Sequence, residues 1–405
     1  MNFDDCKILL EKHGQEHLLK FYHELTQEEK DCLLSQISKI DFELMDSLYK
    51  NKDVFEIEDK EISNINAVDK QRINKEKYEE LGIAHIKNGE LAVCSMAGGQ
   101  GTRLGFNGPK GTFMLDLKEP ISIFEIIINK LKDAYRQYGV LTYWYIMTSI
   151  QNHDETVKFF EENHYFNYDK EHIIFFNQGE LPLLDETGKI AFKDKAHIFM
   201  APDGNGGIFE ALKCEGIISH MKQHGIKYLA IGNVDNILIN MIDPILIGLM
   251  VEKNVELAPK SFMKPSPEGK WGVLCKMNGK LGVIEYTETP KELREARNEE
   301  GELVFGDAYL GCSFFDIDLL ERIAIKKLHL HAASKKNIVL DNMENKKELN
   351  TYKFEAFIFD SFSEAKDVLV FRVNKDEEFA PIKNKEGDES PKTAIELYKK
   401  FYQLD

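Results

Sequence analysis

The sequence predicts an α/β fold in which strands and helices alternate through most of the chain, behind a helical N-terminal region. Three observations lead there. From Leu91 onward, short apolar runs alternate with amphipathic stretches, the pattern of a layered sheet with its helices. The first run, Leu91 to Ala97, is short enough for a buried strand and breaks directly into Gly98-Gly99-Gln100-Gly101. Later runs also end in loops rich in glycine, asparagine or aspartate. In such sheets ligands gather where the loops at the carboxyl ends of the strands converge.

Residues 1 to about 80 read as helices. Ile8, Leu9 and Leu10, then Leu18, Leu19, Phe21 and Tyr22, then Leu33, Leu34, Ile37 and Ile40 recur at near-helical spacing. Thr26-Gln-Glu-Glu29 is a capping box that starts a helix. Asn51 to Lys77 is rich in charge and weak in periodicity, and is expected to be a surface connection. After the glycine loop, Ile121–Tyr138 reads as an amphipathic helix, Leu141–Thr148 as a buried strand and Asp154–Asn163 as a helix. A short strand, Ile173–Phe176, leads into Asn177-Gln178-Gly179-Glu180-Leu181-Pro182.

MAPDGNGGIFEAL, Met200 to Leu212, repeats the glycine theme, and its helix from Ile208 brings a positive N-terminal end to the same loop. Asn205 can both donate and accept hydrogen bonds there. Tyr228–Ile231 is a strand followed closely by Asp235. Trp271–Leu274 and Leu281–Glu288 alternate like paired strands around a turn at Met277-Asn278-Gly279-Lys280. Glu285 on the second of them is a candidate acceptor for hydroxyl groups. Phe354, Phe357, Phe359 and Phe362 read as an aromatic core cluster. Phe379-Ala-Pro-Ile-Lys383-Asn384 precedes a polar stretch, Lys385 to Ser390, and a final helix.

Composition narrows the function classes. The 405 residues are 43% hydrophobic and 30% charged, an ordinary globular balance. A formal net charge of -17 argues against a general nucleic-acid binder or a protein drawn to anionic membranes. Six scattered cysteines without a CxxC pair fit reduced thiols rather than a disulfide framework or a zinc site. The first residues lack the apolar core of a secretion signal, and no apolar run nears the ~20 residues of a membrane span. A cytoplasmic protein, monomeric or weakly homo-oligomeric, is expected.

The glycine loop is the strongest chemical signal. Gly98, Gly99 and Gly101 let backbone approach a bulky anion with no Cβ in the way, and successive amides in such a turn form an anion-binding concavity. Arg103 and Lys110 add the cationic groups that neutralise phosphate oxygens. Two familiar phosphate loops do not fit. GxxxxGK[ST] is absent, since Gly111 follows Lys110, and Gly99, Gly101 and Gly105 give GxGxxxG rather than the dinucleotide fingerprint.

What fits is a family resemblance. AGGQGTRLG with PKG, QGELP, MAPDGNGG, VDN, the GV…VIEY segment, KFEAFIFD and FAPIKN occur in order from about Lys75 to the end of the chain. They resemble their counterparts in the eukaryotic-type UDP-N-acetylhexosamine and UDP-glucose pyrophosphorylases, most of all those for N-acetylglucosamine. The resemblance implies a Rossmann-like, GT-A-like nucleotidyltransferase domain: a mixed sheet with helices on both faces, between small N- and C-terminal parts. Those parts would be 1–85, 86–340 and 341–405. It implies formation of UDP-sugar and pyrophosphate from UTP and a sugar 1-phosphate, with Mg²⁺. By matching motif, Ala97, Gly98, Gly99, Gly101, Thr102, Arg103 and Lys110 would hold the UTP phosphates. Gln178 and Gly204 would read the uracil edge, and Asn205, Gly272 and Glu285 the sugar. Asp235 would carry the metal, and Lys383 would reach the phosphates from the C-terminal part.

One departure touches the substrate. The hexosamine enzymes read like GNIANHFF where this chain has Ala308-Tyr309-Leu310-Gly311-Cys312-Ser313-Phe314-Phe315. Tyr309 and Ser313 replace an Asn and a His by the sugar, which leaves glucose or galactose 1-phosphate open beside N-acetylglucosamine 1-phosphate. A regulator that binds nucleotide-sugar without turnover is the reading from another class, and the intact Arg103, Lys110 and Asp235 speak against it.

Overall fold

The computed structural model describes residues 1–52, 61–340 and 345–404. The chain forms two compact units, and neither is continuous in sequence. One comprises Met1–Glu58, Gly179–Gly207 and Leu328–Ile358, the other Asp59–Gln178, Ile208–Lys327 and Phe359–Asp405. This partition cuts the chain differently from the consecutive 1–85, 86–340 and 341–405 blocks. Apolar spacing identifies a face to be covered, but not which distant segment covers it.

In the unit holding the N-terminus, helices Phe3–Lys12, Gln27–Lys39 and Phe42–Asn51 bring apolar faces to one core. Thr26 and Glu29 form the expected capping box. Cys6, Leu10, Leu33, Ile37 and Phe42 pack there with Leu184, Ile190, Phe192 and Phe354. A three-stranded antiparallel sheet, Leu184–Asp185 beside the hairpin of His331–Leu340 and Lys346–Glu355, completes it. That hairpin is absent from the sequence reading because its strands are polar and largely exposed. The expected phenylalanine cluster divides: Phe354 belongs to this core, while Phe362 packs on Phe315 and Tyr309 in the other unit.

The larger unit is built on an 11-stranded mixed sheet. Its main path runs Val68–Asp69, Phe371–Arg372, Leu257–Met263, Asp307–Asp316, Tyr228–Asn233, Leu91–Met96, Trp144–Thr148, Ile173–Asn177. The last four strands are mutually parallel, and Asp307–Asp316 runs antiparallel to both of its neighbours on that path. Every residue of Leu91–Met96 and of Trp144–Thr148 is buried, so both faces of the sheet are covered there. Ser122 caps the amphipathic helix Ile123–Tyr138, which buries Phe124, Ile127, Ile128 and Leu131. Helices Lys75–Lys87 and Pro244–Lys253 cross so closely that a Cβ on Gly82 or Gly248 would fall within 1.9 Å of a backbone carbonyl oxygen. Val273–Met277 and Lys280–Ile284 form the expected hairpin, with Asn278 and Gly279 both at positive φ in the turn.

The stretch read as a surface connection instead places Ile62–Ser63 and Val68–Asp69 in this sheet. Strands of two residues leave no periodicity to find. Residues 53–60 of that stretch lie outside the described residues.

Candidate active site at a strand switch point

The parallel strand Leu91–Met96 lies between Trp144–Thr148 and Tyr228–Asn233. The chain leaves Leu91–Met96 toward one neighbour and returns later to the other. The loops that follow Met96 and Asn233 therefore part in opposite directions, opening the crevice where α/β sheets bind ligands. The glycine loop follows the first strand and Asp235 the second.

The glycine loop is closed upon itself. The amide of Gly101 donates to the Gly108 carbonyl (2.9 Å), that of Phe106 to Gly101 (3.1 Å), and that of Lys110 to Gly99 (3.0 Å). Its base is anchored through the Ala97 amide to Met147 (2.7 Å). Asn152, fully buried, donates from Nδ2 to the carbonyls of Ala97 (3.0 Å) and Gly99 (3.4 Å), while its Oδ1 accepts from the Ser149 amide. The glycines answer to different demands. A Cβ on Gly98 would sit 2.2 Å from Gln178 Oε1, and one on Gly101 2.6 Å from the Phe106 ring. Gly99 has open space where a Cβ would project, so no neighbour within the protein requires glycine there. Thr102 and Arg103 are exposed on the 3-10 turn Thr102–Leu104, which Gly105 ends at φ +72°. Among the described residues, no hydrogen bond or ion pair engages the Arg103 guanidinium.

Lys110 and Asp235 meet across the switch point. Lys110 Nζ donates to Asp235 Oδ2 at 2.7 Å, and both side chains keep about 15% exposure (16% and 15%). The Asp235 carbonyl accepts from the Ile382 amide (2.9 Å). Asn236, almost fully buried, donates to the Glu378 carbonyl and accepts from the Ala380 amide, each at 2.8 Å. The segment that carries Lys383 is thereby pinned to the Asp235 turn. Lys383 Nζ pairs with Glu389 Oε2 at 3.1 Å.

Behind this turn lies a charged cluster that is buried except at Lys70. Lys260 Nζ donates to Asp243 Oδ2 (2.8 Å), Glu378 Oε2 (2.6 Å) and the Asn240 carbonyl (2.8 Å). Lys70 adds contacts to the same two carboxylates. Burial alone would raise the Asp243 carboxyl, but the Lys260 and Lys70 ammoniums hold it below its ordinary range. Lys130 donates to the carbonyls of Ile237 and Ile239, and burial lowers its ammonium to about 7.

Gly272, Glu285 and Tyr309 form a corner of the same unit. The Gly272 carbonyl accepts from the Tyr309 amide (2.9 Å), and a Cβ on Gly272 would meet Val283 at 2.7 Å and Glu285 Oε1 at 3.2 Å. The Tyr309 ring lies edge-on to Phe359 and Phe362, and its hydroxyl is 2.9 Å from Ser313 Oγ. Burial pushes this phenol up, so it stays neutral. Gly204 and Asn205 belong to the other compact unit. There Gly204 stands at φ +92° with the Ala356 carbonyl oxygen 2.3 Å from any Cβ, and Asn205 Oδ1 accepts from the Ile358 amide (2.9 Å).

The structure thus gathers Ala97, Gly98, Gly99, Gly101, Thr102, Arg103, Lys110, Gln178, Asp235 and the Lys383 segment around one crevice of the larger unit. Sequence reasoning missed Asn152, Asn236 and Glu389. Asn236 adjoins a motif, but no spacing rule marks a buried asparagine as a clamp.

Known proteins of similar sequence and fold identify the family. The family described as UTP–glucose-1-phosphate uridylyltransferase matches residues 41–392. UDP-N-acetylglucosamine pyrophosphorylase of Saccharomyces cerevisiae is 36% identical over 340 residues, covering 80% of this chain and 71% of that protein. UDP-N-acetylglucosamine diphosphorylase 2 of Arabidopsis thaliana is 32% identical over 410 residues, covering 95% and 81%. The crystal structure of the Trypanosoma brucei uridine diphosphate N-acetylglucosamine pyrophosphorylase superposes with a TM-score of 0.84 at 30% identity, covering 97% of this chain and 84% of that one. With that extent of match, the chain belongs to the UTP–glucose-1-phosphate uridylyltransferase family.

Proposed function

We propose that this protein is a UDP-sugar pyrophosphorylase that joins UTP and N-acetylglucosamine 1-phosphate into UDP-N-acetylglucosamine and pyrophosphate. The names of its relatives supply the substrate. The observation that carries the chemistry is the Lys110–Asp235 pair at the switch point, beside a closed glycine loop. Gly99, with nothing against its missing Cβ, leaves backbone free for a phosphate, and exposed Arg103 offers a forked cation.

The attacking oxygen of a sugar 1-phosphate is already anionic at neutral pH, so the reaction needs no general base. The difficulty is holding two polyanions in line while charge develops around the α-phosphorus. Lys110, Arg103 and Lys383 would neutralise the phosphate oxygens and the departing pyrophosphate. Gln178, held by the Thr148 carbonyl and packed on Gly98, would face the base. Gly272, Glu285 and Tyr309 would line the sugar.

The residues fit a hard divalent cation. Asp235 is one partly exposed carboxylate whose Oδ2 is held, among the described residues, by Lys110 alone. No group of three or more His, Cys, Asp or Glu suited to a metal occurs among the described residues. A cation on Asp235 would take its remaining ligands from phosphate and water, the coordination Mg²⁺ favours. When bound, Mg²⁺ would supply Lewis-acid stabilisation to the phosphate oxygens.

The Tyr309–Ser313 contact favours a second reading, glucose or galactose 1-phosphate as acceptor, because a buried phenol occupies this corner. Pyrophosphate release from UTP and Mg²⁺ across a panel of sugar 1-phosphates tests both. Fastest turnover with N-acetylglucosamine 1-phosphate supports the first reading, and fastest turnover with an unsubstituted hexose the second. Silence across the panel from a protein that binds UDP-sugar overturns both.

A further inference from the structure

The stretch between Lys383 and the final helix is an ordered, closed loop. The Glu389 carbonyl accepts from the amides of Lys383 (2.7 Å) and Asn384 (3.1 Å), and Asn384 Nδ2 donates to the Asp388 carbonyl (2.9 Å). Glu389 stands at φ +55°, where a residue with a Cβ is seldom found and the backbone stores strain. Its carboxylate is held from two sides. Oε2 takes the Lys383 ammonium at 3.1 Å, and Oε1 accepts from Trp271 Nε1 at 3.2 Å. Trp271 is in turn fixed by the rings of Phe262 and Phe379, with the Lys375 ammonium 4.7 Å from its ring centre. Gly272, the next residue, belongs to the corner assigned to the sugar.

We propose that Glu389 is a positioning residue. It parks the Lys383 ammonium on a fixed carboxylate and yields it to an incoming polyphosphate. This rests on the proposed role of Lys383 as a phosphate-binding cation. Two features suit a latch. The pair is partly solvated, 37% and 22% exposed, so its hold is weak enough for a polyanion to break. The carboxylate itself cannot follow the lysine, because the Trp271 indole and a strained backbone anchor it. Lys383 would then be preordered before UTP arrives and recaptured as pyrophosphate leaves.

The test is a double-mutant cycle with Glu389→Gln and Lys383→Met, reading turnover, the KM for UTP and inhibition by inorganic pyrophosphate. Gln preserves the size and an acceptor for Trp271 but removes the charge. A latch predicts that Glu389→Gln lowers the UTP KM about three- to fivefold and tightens pyrophosphate inhibition by the same factor. Both changes vanish in the Lys383→Met background. Glu389→Gly, which relieves the strained φ, should shift KM the same way without loss of thermal stability. An unchanged KM in Glu389→Gln, or an equal shift in both backgrounds, overturns the latch. The underlying reading fails separately: Lys383→Met would then match the parent in turnover.

Discussion

Two lysine–carboxylate pairs of the larger unit have nearly the same length and different surroundings. Lys110–Asp235 spans 2.7 Å and Lys260–Asp243 spans 2.8 Å, so length does not separate them. Solvation and partner number do. Lys260 and Asp243 are at most 1% exposed, and the lysine is saturated by a second carboxylate and a carbonyl. Lys110 has one charged partner among the described residues, and both side chains keep about 15% exposure (16% and 15%). A saturated buried pair is tied to the fold, because removing one member strands the other as a buried charge. A pair with one contact at a ligand crevice can exchange partners, which a phosphate site requires. The same two side-chain types thus give a saturated fixture in one place and, under the proposed function, an exchangeable phosphate contact in the other.

The largest expected effect lies in the crevice. Asp235→Ala should lower turnover about a thousandfold, the loss of several kcal/mol of phosphate charge stabilisation, while the melting temperature stays near that of the parent. Steady-state pyrophosphate release beside a thermal melt checks both halves. Next comes the buried cluster. Lys260→Met should destabilise by about 3 kcal/mol, read from urea unfolding, because Asp243 and Glu378 stay buried with the Lys70 ammonium alone to share.

Lys110→Met sharpens the contrast further. Breaking this partly solvated pair should cost at most about 1 kcal/mol in unfolding free energy while weakening UTP binding tenfold or more. Gly98→Ala sets packing against catalysis, since the new methyl meets Gln178 Oε1. A Gln178→Ala change in the same protein should restore stability without restoring UTP affinity, as calorimetry would show.

The smallest effect is in pH. The Asp243 carboxyl is held below its ordinary range in the folded protein, so the unfolded chain takes up that proton first as pH falls. The stability it contributes is complete above about pH 4 and drains away below it. Asp243→Asn should flatten the acid side of the stability curve, as urea unfolding across a pH series would show.

The contrast also shows what the sequence could disclose. The glycine loop, the Ile123–Tyr138 helix and the Asn278-Gly279 hairpin were legible because local backbone demands select their residues. The place of Asp235 at the end of a strand was legible because the apolar run before it is short. Leu257–Met263 and Asp307–Asp316 were not, although they are central to the sheet. Their buried charges, Lys260 and Asp307, look like surface residues until Asp243, Glu378 and Arg372 are seen against them. Long-range pairing of this kind leaves no local trace. The clamp at Asn236 and the grip of Glu389 on Lys383 were hidden likewise, since their partners come from other segments or from turns without a motif.

The most direct test sets Asp235→Asn beside Asp243→Asn, each measured for turnover and for unfolding free energy. The account predicts opposite losses. Asp235→Asn should lose turnover by orders of magnitude at nearly full stability, and Asp243→Asn should lose several kcal/mol of stability while its folded fraction stays active. Near-normal turnover in a folded Asp235→Asn protein, or equal destabilisation by the two changes, would contradict it.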